Sequence, residues 1–195
     1  MARLILLNGP PGIGKSTLAQ RYVDDHPLAL NVDIDSVRRL LGRWQEAPVE
    51  AGLLARAMTL TMAREHLRSG HDVVLPQYLG RPQFLQQAEA VAIEAGVPFH
   101  EFVLMTARDD ARDRFVRRTA AATRTAHVEA GDLVEQFGGV GALGAMYDRL
   151  LLVIAHRPNA QVVSCPDGEM ETVYRELTSR LEALSALDVD SGPAK

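Results

Sequence analysis

Arg3-Leu4-Ile5-Leu6-Leu7-Asn8-Gly9-Pro10-Pro11-Gly12-Ile13-Gly14-Lys15-Ser16-Thr17 decides how the rest of the chain is read. Its first half is a short continuous Leu/Ile run, the pattern of a strand buried on both faces, and Gly9-Pro10-Pro11-Gly12 stops it. Helical sequence resumes at Lys15 and continues to about Asp25. Residues 9–16 between them fit G-x-x-x-x-G-K-[ST] in full. Where a chain leaves a strand and enters a helix through such a segment, successive backbone N–H groups and the positive end of the helix converge on one anion. Glycines permit the close approach and the unusual dihedrals. The pattern sends the lysine to the β- and γ-phosphates of a nucleotide and the following hydroxyl to Mg²⁺. Gly9, Pro10, Pro11, Gly12, Ile13, Gly14, Lys15, Ser16 and Thr17 are therefore the expected nucleotide-binding residues, with Ser16 a metal ligand.

Outward from this loop, apolar runs alternate with helical segments. Leu28–Val32, Asp72–Leu75, Phe99–Met105 and Gln161–Ser164 read as further strands. Helices are expected over 36–41, 50–69, 83–95, 109–123, 145–155 and 169–187, with 188–195 a loose polar tail. Strands of this length separated by helices imply a parallel sheet covered on both faces, because parallel strands need crossover connections. The expected fold class is α/β, a three-layer sandwich.

In such sheets ligands bind beyond the carboxyl ends of the strands, which sorts the acidic residues. Asp33 and Asp35 end the second strand and belong to the ligand side. Asp72 begins the third and belongs to the opposite rim. Asp33 is placed to hold a Mg²⁺-bound water. Asp35 either caps the helix it opens or takes the proton of an acceptor hydroxyl during in-line attack on a γ-phosphate, and Arg38, one turn later, shares its face. The third strand ends in Val73-Val74-Leu75-Pro76-Gln77, without the acid that many proteins with this loop carry there, so the metal would rest on Ser16, the phosphates and Asp33. Gln77 and Tyr78 end this strand on the ligand side, where Tyr78 either contacts the acceptor or packs.

Arg108, Arg112, Arg114, Arg117 and Arg118 crowd one helix, and Asp109, Asp110 and Asp113 answer part of that charge. The alternatives are a solvated face and a lid whose guanidinium groups close over a triphosphate. Gly139, Gly141 and Gly144 spell G-x-G-x-x-G, but no clear strand precedes them, so a flexible joint is expected there rather than a dinucleotide site. In the stretch 50–69, Leu54, Met58 and Met62 recur on one helical face. That stripe belongs either to the core or to an acceptor pocket suited to a hydrophobic group.

Composition narrows the classes. The 195 residues are 47% apolar and 24% charged, with 21 basic against 25 acidic side chains and a formal charge of -4. This suits one soluble unit with a sizeable core and gives no long-range attraction to nucleic acid or an anionic membrane. The aromatic residues, 1 Trp, 4 Tyr and 5 Phe, are too few for a stacking platform on single strands. Cys165 stands alone, which excludes an intramolecular disulfide and a cysteine zinc cluster. No run is long enough for a signal-peptide core or a membrane span, so a cytoplasmic location is expected.

The loop, Asp35-Ser36-Val37-Arg38 and Arg114-Phe115-Val116-Arg117-Arg118 together resemble the P-loop small-molecule kinases: shikimate and gluconate kinases, chloramphenicol phosphotransferase and the 5′-kinase domain of polynucleotide kinase. The Asp-x-x-Arg spacing is similar to that of polynucleotide kinase, where the Asp serves as base. Asp72 to Arg118, with Val74-Leu75-Pro76 and Phe102-Val103-Leu104-Met105, is similar to tunicamycin-resistance proteins of the same superfamily. The resemblance implies a sheet order of 2-3-1-4-5, Arg114 against adenine, Arg118 as a lid arginine near the phosphates, and the Cys165-Pro166-Asp167-Gly168 turn bordering the base. The stretch from Trp44 to Arg68 matches none of these kinases closely.

The expectation is one P-loop kinase domain over 1–187, with an acceptor-binding helical region at about 43–70 and a lid at about 114–140. It would use ATP and Mg²⁺ to phosphorylate a hydroxyl of a small molecule, an antibiotic or nucleoside-like compound being candidates. Asp35, Lys15, Arg38 and Arg118 would be the catalytic residues. Two rivals remain open: a slow ATPase switch acting through a protein partner, and a nucleic-acid 5′-kinase.

Overall fold

The computed structural model of the chain describes residues 2–120 and 139–190, apart from the side chains at 118, 140 and 186–190. In chain order the elements are β1 (Leu4–Asn8), α1 (Lys15–Asp25), β2 (Leu30–Asn31), α2 (Ile34–Arg38), a short 3₁₀ turn (Trp44–Glu46), α3 (Pro48–Arg68), β3 (Val73–Pro76), α4 (Pro82–Ala95), β4 (Phe99–Met105), α5 (Arg108–Ala120), α6 (Gly139–Ala155), β5 (Gln161–Ser164) and α7 (Met170–Asp190). The five strands are all parallel and lie in the order β2-β3-β1-β4-β5. The class matches the sequence reading, and the order matches what the family resemblance implies.

The continuous apolar runs make sense once both faces of the sheet are covered. Along β1, Leu4 and Leu6 enter one core with Val32, Val37, Ala55, Leu67 and Leu85. Ile5 and Leu7 enter the other, with Leu18, Tyr22, Val173 and Leu177. Because every strand runs the same way, Asn8, Asp33, Gln77 and Met105 gather at one rim. At the other rim, Asp72 accepts from the Arg3 backbone N–H (3.0 Å), Arg3 Nε (3.2 Å) and the Tyr22 hydroxyl (2.6 Å), which bears out its assignment away from the ligand side.

Several boundaries differ from expectation. β2 begins only at Leu30, because Leu28 is exposed with φ +64° and a turn from the His26 carbonyl to the Ala29 N–H (3.0 Å) occupies the residues before it. α2 begins at Ile34, since Asp33 caps it. The expected joint at Gly139, Gly141 and Gly144 lies instead in the first turns of α6. There the buried face of Leu143, Leu150 and Val153 and the approach of α5 outweigh the roughly 1 kcal/mol that each glycine costs a helix. Arg108 of α5 pairs with Asp148, stacks over the Tyr147 ring at 5.5 Å and abuts Gly144. Helix α7 extends to Asp190, so 188–190 are helical rather than loose tail.

The Leu54/Met58/Met62 stripe is not core: these residues are 48%, 37% and 39% exposed. Small side chains, Ala51, Ala55, Thr59 and Ala63, form the buried face of α3, which packs chiefly against α2 and α4. The larger residues a step around the helix are left outside. No helix among the described residues is long and apolar enough to cross a membrane.

Among the described residues, Glu101 and Arg114 are the buried charged ones, and Glu101 sits within the sheet. Glu101 on β4 has a side chain only 3% exposed, and its Oε2 accepts from Arg157 Nε at 2.8 Å while Arg157 Nη1 reaches Glu89 at 2.8 Å. Burial pushes the Glu101 carboxyl above its usual range, and Arg157 pulls it part of the way back. Arg157→Ala is expected to cost about 3 kcal/mol or more in urea unfolding, because it leaves a buried carboxylate without its partner. A folded-state pKa raised further in the variant means that ionised Glu101 opposes folding and protonation relieves it. The gap to the native protein should therefore narrow from pH 8 to pH 5; a gap independent of pH would mean that only packing was lost.

Candidate active site

The site begins with a polar residue that ends an apolar strand. Asn8 is fully buried; its Oδ1 accepts from the N–H groups of Gly9 (2.8 Å) and Leu79 (2.9 Å), and its Nδ2 donates to the Leu79 carbonyl (3.3 Å). The carboxamide thus ties the entry of the loop to the segment that leaves β3. The loop then passes through Gly12 and Gly14 at φ +85° and +111°. A Cβ at Gly12 would lie 3.1 Å from the Phe115 Cα of α5, and one at Gly14 would lie 2.7 Å from the Met170 methyl. Backbone conformation and close packing both require glycine at these two positions.

Gly14 is the N-cap of α1, yet no side chain caps this helix and no acid occupies its first turn. Its N-terminal N–H groups and positive dipole are thereby kept for an external anion. Lys15 Nζ donates to the loop's own Gly9 and Pro10 carbonyls, each at 2.9 Å. The Ser16 hydroxyl donates to Asp33 Oδ2 at 3.1 Å. An uncapped helix end, a lysine folded over the loop and an all-oxygen Ser/Asp pair fit a nucleotide triphosphate with a hard divalent cation. Among the described residues, no group of three His, Cys, Asp or Glu side chains could hold a metal ion, so protein ligands would be few.

The two candidate carboxylates separate. Asp33 is the cap of α2, its Oδ1 accepting from the N–H groups of Asp35 (2.8 Å) and Ser36 (3.1 Å). Asp35, for which the sequence left the capping role open, instead pairs with Arg38 Nη2 at 2.8 Å. Burial raises the Asp35 carboxyl above its ordinary range and nearby Asp33 adds to this, while Arg38, Arg39 and Lys15 oppose. About half of its side-chain surface remains open to solvent, so it is a carboxylate that a solute can reach rather than one sealed in the core. Arg38 lies over the Trp44 ring at 4.8 Å, and its Nε is buried without a hydrogen-bond partner. Trp44, in what reads as a polar connection, is buried as the plate beneath this guanidinium.

Arg114 lies on α5 with only 8% exposure, its Nε 3.3 Å from Asp167 and its Nη1 3.9 Å from the Cys165 sulfur. Its Nη2 is buried without a hydrogen-bond partner. Arg117 pairs with the same Asp167. Thr17, Arg114, Arg117, Pro166, Asp167 and Gly168 line a cavity of about 290 Å³ beside Gly12, Ile13 and Gly14. Pro10 and Pro11 face the other side of the loop, where a cavity of about 220 Å³ also touches Arg108, Arg112 and Tyr147. Much of the apparent positive charge of α5 is thus answered by Asp109, Asp113, Asp148 and Asp167. The Arg118 side chain, and most of the expected lid, at 121–138, lie outside the described residues.

Tyr78 donates its hydroxyl to the Met146 carbonyl of α6 at 2.9 Å, which gives it a packing role between two elements. Sequence reasoning missed Asn8, the Trp44 plate, and Phe115 and Met170 as the walls against the loop. Only Asn8 left a trace, a lone amide closing an apolar run immediately before the glycine motif.

Residues 4–137 match the family model of the AAA domain. An uncharacterized protein of Mycobacterium tuberculosis is 34% identical over 128 residues, 60% of this chain but only 26% of that protein, so the chain matches about a quarter of its relative's length. An adenylate kinase from Synechococcus is 33% identical over 121 residues, covering 56% of this chain and 65% of the enzyme. Among solved structures, a gluconokinase from Sinorhizobium meliloti superposes with a TM-score of 0.60 at 15% identity, covering 96% of both chains. The tunicamycin resistance protein of Deinococcus radiodurans superposes with a TM-score of 0.59 at 15% identity, covering 93% of this chain and 96% of its own. With the P-loop, the 2-3-1-4-5 parallel sheet and the match over 4–137, the chain belongs to the AAA domain family as a P-loop kinase-like domain.

Proposed function

We propose that this chain is an ATP- and Mg²⁺-dependent kinase that phosphorylates a hydroxyl group of a small molecule. The observation that carries this reading is the placement of Asp35. Asp33 has taken over the capping of α2, so Asp35 is left with a half-exposed carboxylate, raised in pKa and oriented by Arg38, close enough to feel Asp33 and Lys15. A group with that environment suits the acceptance of a proton from an attacking hydroxyl. Similarity to an adenylate kinase and a gluconokinase agrees with phosphoryl transfer and leaves the acceptor open.

The residues divide the work. Lys15 leaves the Gly9 and Pro10 carbonyls for the phosphates, and the uncapped N–H groups of α1 bind the same oxygens. Ser16 and Asp33 would supply oxygen ligands to a bound Mg²⁺, which would help neutralise charge on the phosphates. Arg114 uses its spare Nη2 toward the nucleobase side, bordered by Pro166, Asp167 and Gly168. Arg38, held over the Trp44 ring, orients Asp35 and lends positive charge toward the acceptor or the transferred group, and the acceptor enters over 43–70. Asp35 takes the hydroxyl proton as the new P–O bond forms and the bond to the leaving ADP breaks. A switch driven by a protein partner would show ATPase activity that rises with that partner and not with small hydroxyl compounds.

Asp35→Asn is expected to keep ATP affinity by calorimetry and to lose about 10² or more in phosphoryl transfer, the range for a positioned base. Full turnover in that variant would remove the role. Lys15→Ala should stay folded, since Asn8, Phe115 and Met170 hold the loop, but lose nucleotide binding. Because Asp35 must be ionised to act, kcat should fall on the acid side at a pH above the ordinary carboxylate range; Arg38→Ala, which removes the opposing charge, should move that limb higher still. Asp33→Ala should cost about 1 kcal/mol of stability through the lost cap, whereas Asp33→Asn, which can still cap, should keep stability and raise the Mg²⁺ concentration needed for turnover.

A further inference from the structure

The rim opposite the phosphate loop carries two histidines that the proposed chemistry does not use. His66 stands in the last turn of α3, and His71 lies just beyond it, after Gly70 at φ +90° turns the chain toward β3. Their ring centroids are 5.8 Å apart and their planes are tilted by 41°, so the rings are close but not stacked. An ion bound to one nitrogen of each ring at about 2.0 Å would lie about 3 Å from each centroid, which puts two coordinated rings roughly 5–6 Å apart. The pair already stands at that separation. Both backbones are pinned as well. Ser69 donates its N–H (3.1 Å) and its hydroxyl (2.7 Å) to the His66 carbonyl, and Asp72, next to His71, is held by Arg3, the Tyr22 hydroxyl and the Leu30 N–H.

Their other contacts decide what the pair can hold. His66 Nε2 lies 2.7 Å from the Leu28 carbonyl, which can only accept, so Nε2 carries the proton and Nδ1 of the neutral ring keeps its lone pair. A hydrogen bond from the remote nitrogen to a backbone carbonyl is what orients metal-binding imidazoles. His71 makes no ring hydrogen bond to another described residue. Met62 stands one turn before His66 and is 39% exposed; because helical side chains lean toward the N-terminus, His66 leans over the turn that carries its thioether. That side chain has three rotatable bonds with which to reach an ion. The C-terminal end of α3 adds the negative pole of the helix dipole. Among the described residues, no third His, Cys, Asp or Glu side chain completes a set with this pair. Two imidazoles and a thioether fall short of a closed four-ligand zinc site, and this mixture of donors selects Cu(I).

We propose that His66 and His71, with Met62 as third ligand, bind a single soft cation, Cu(I). The ion would sit at the N-terminal ends of the strands, across the sheet from Lys15 and Asp35, so the site is independent of the kinase reading. It would tie the end of α3 to the start of β3. Because the ligands come together only in the folded chain, bound Cu(I) also stabilises the fold.

The test titrates the full chain, reduced and stripped of metal under argon, with Cu(I) in competition with the chromophoric chelator bicinchoninate. The native protein is expected to take one equivalent at this site. His66→Ala and His71→Ala should each lose about tenfold or more in affinity, since changes behind a ligand alone cost that much. Met62→Leu keeps size and apolarity without the sulfur; it should weaken Cu(I) by a similar factor and leave the weaker binding of Zn²⁺ to the two imidazoles unchanged. Met58→Leu, two turns from His66, should bind Cu(I) as the native protein does. With methyl-labelled methionine, the Met62 carbon resonance should shift on addition of Cu(I) or of redox-inert Ag(I). Equal Cu(I) affinity in the native protein and in a His66→Ala/His71→Ala double variant that is folded by circular dichroism overturns the site, as does binding that is lost only with Cys165→Ala. An unmoved Met62 resonance, or Zn²⁺ bound more tightly than Cu(I), overturns the choice of ion. If the histidine variants unfold, the Met62 resonance and the Met62→Leu affinities decide the matter by themselves.

Discussion

A single buried carboxamide holds the working rim together. Asn8 spends its acceptor on two backbone N–H groups and its donor on one carbonyl, and those three groups belong to the loop that receives phosphate and to the segment leaving β3. Parallel strands alone would bring β1 and β3 side by side but would leave their exits independent. The amide removes that independence, because separating the two segments would strand buried polar groups, each at about 1–3 kcal/mol. The segment leaving β3, from Tyr78 through Leu79 to Arg81, is thereby referenced to Gly9.

Electrostatics on this rim work by displacement. Asp33 answers two backbone N–H groups and the Ser16 hydroxyl, and in doing so relieves Asp35 of the capping role. Asp35 then has one strong partner, Arg38, and a surrounding that favours its protonated form. Arg38 in turn is held by Trp44 and not by a second acid. The same economy marks α5, where Asp167 serves both Arg114 and Arg117. A chain with net charge -4 thus concentrates unspent donors where an anionic ligand would enter.

The parts legible in the sequence were those with a local physical cause. A Leu/Ile run followed by the glycine motif defines strand, loop and the start of a helix within the fifteen residues from Arg3 to Thr17. Alternating elements lead to the parallel sheet, and position along each strand correctly separated Asp33 from Asp72. What failed to read depended on tertiary contact. The helix over Gly139–Ala155 persists because Arg108 and the buried face of Leu143 and Leu150 support it. The stripe of Leu54, Met58 and Met62 has core periodicity, but the alanines beside it form the buried face of α3. Which of two aspartates separated by one residue caps a five-residue helix depends on where the strand stops, and β2 is only two residues long.

The packing of the loop glycines bears on how related chains can drift. Gly9, Gly12 and Gly14 are pressed by the Leu104 carbonyl, the Phe115 backbone and Met170. A descendant that abandoned nucleotide chemistry would still be selected to keep all three, simply to preserve the fold. Lys15 and Ser16 are not pressed in this way: Lys15 donates to loop carbonyls, and Ser16 to an aspartate that has other partners. Retained glycines in a homologue therefore testify to architecture alone, and it is the lysine and the serine whose loss would date the end of its chemistry.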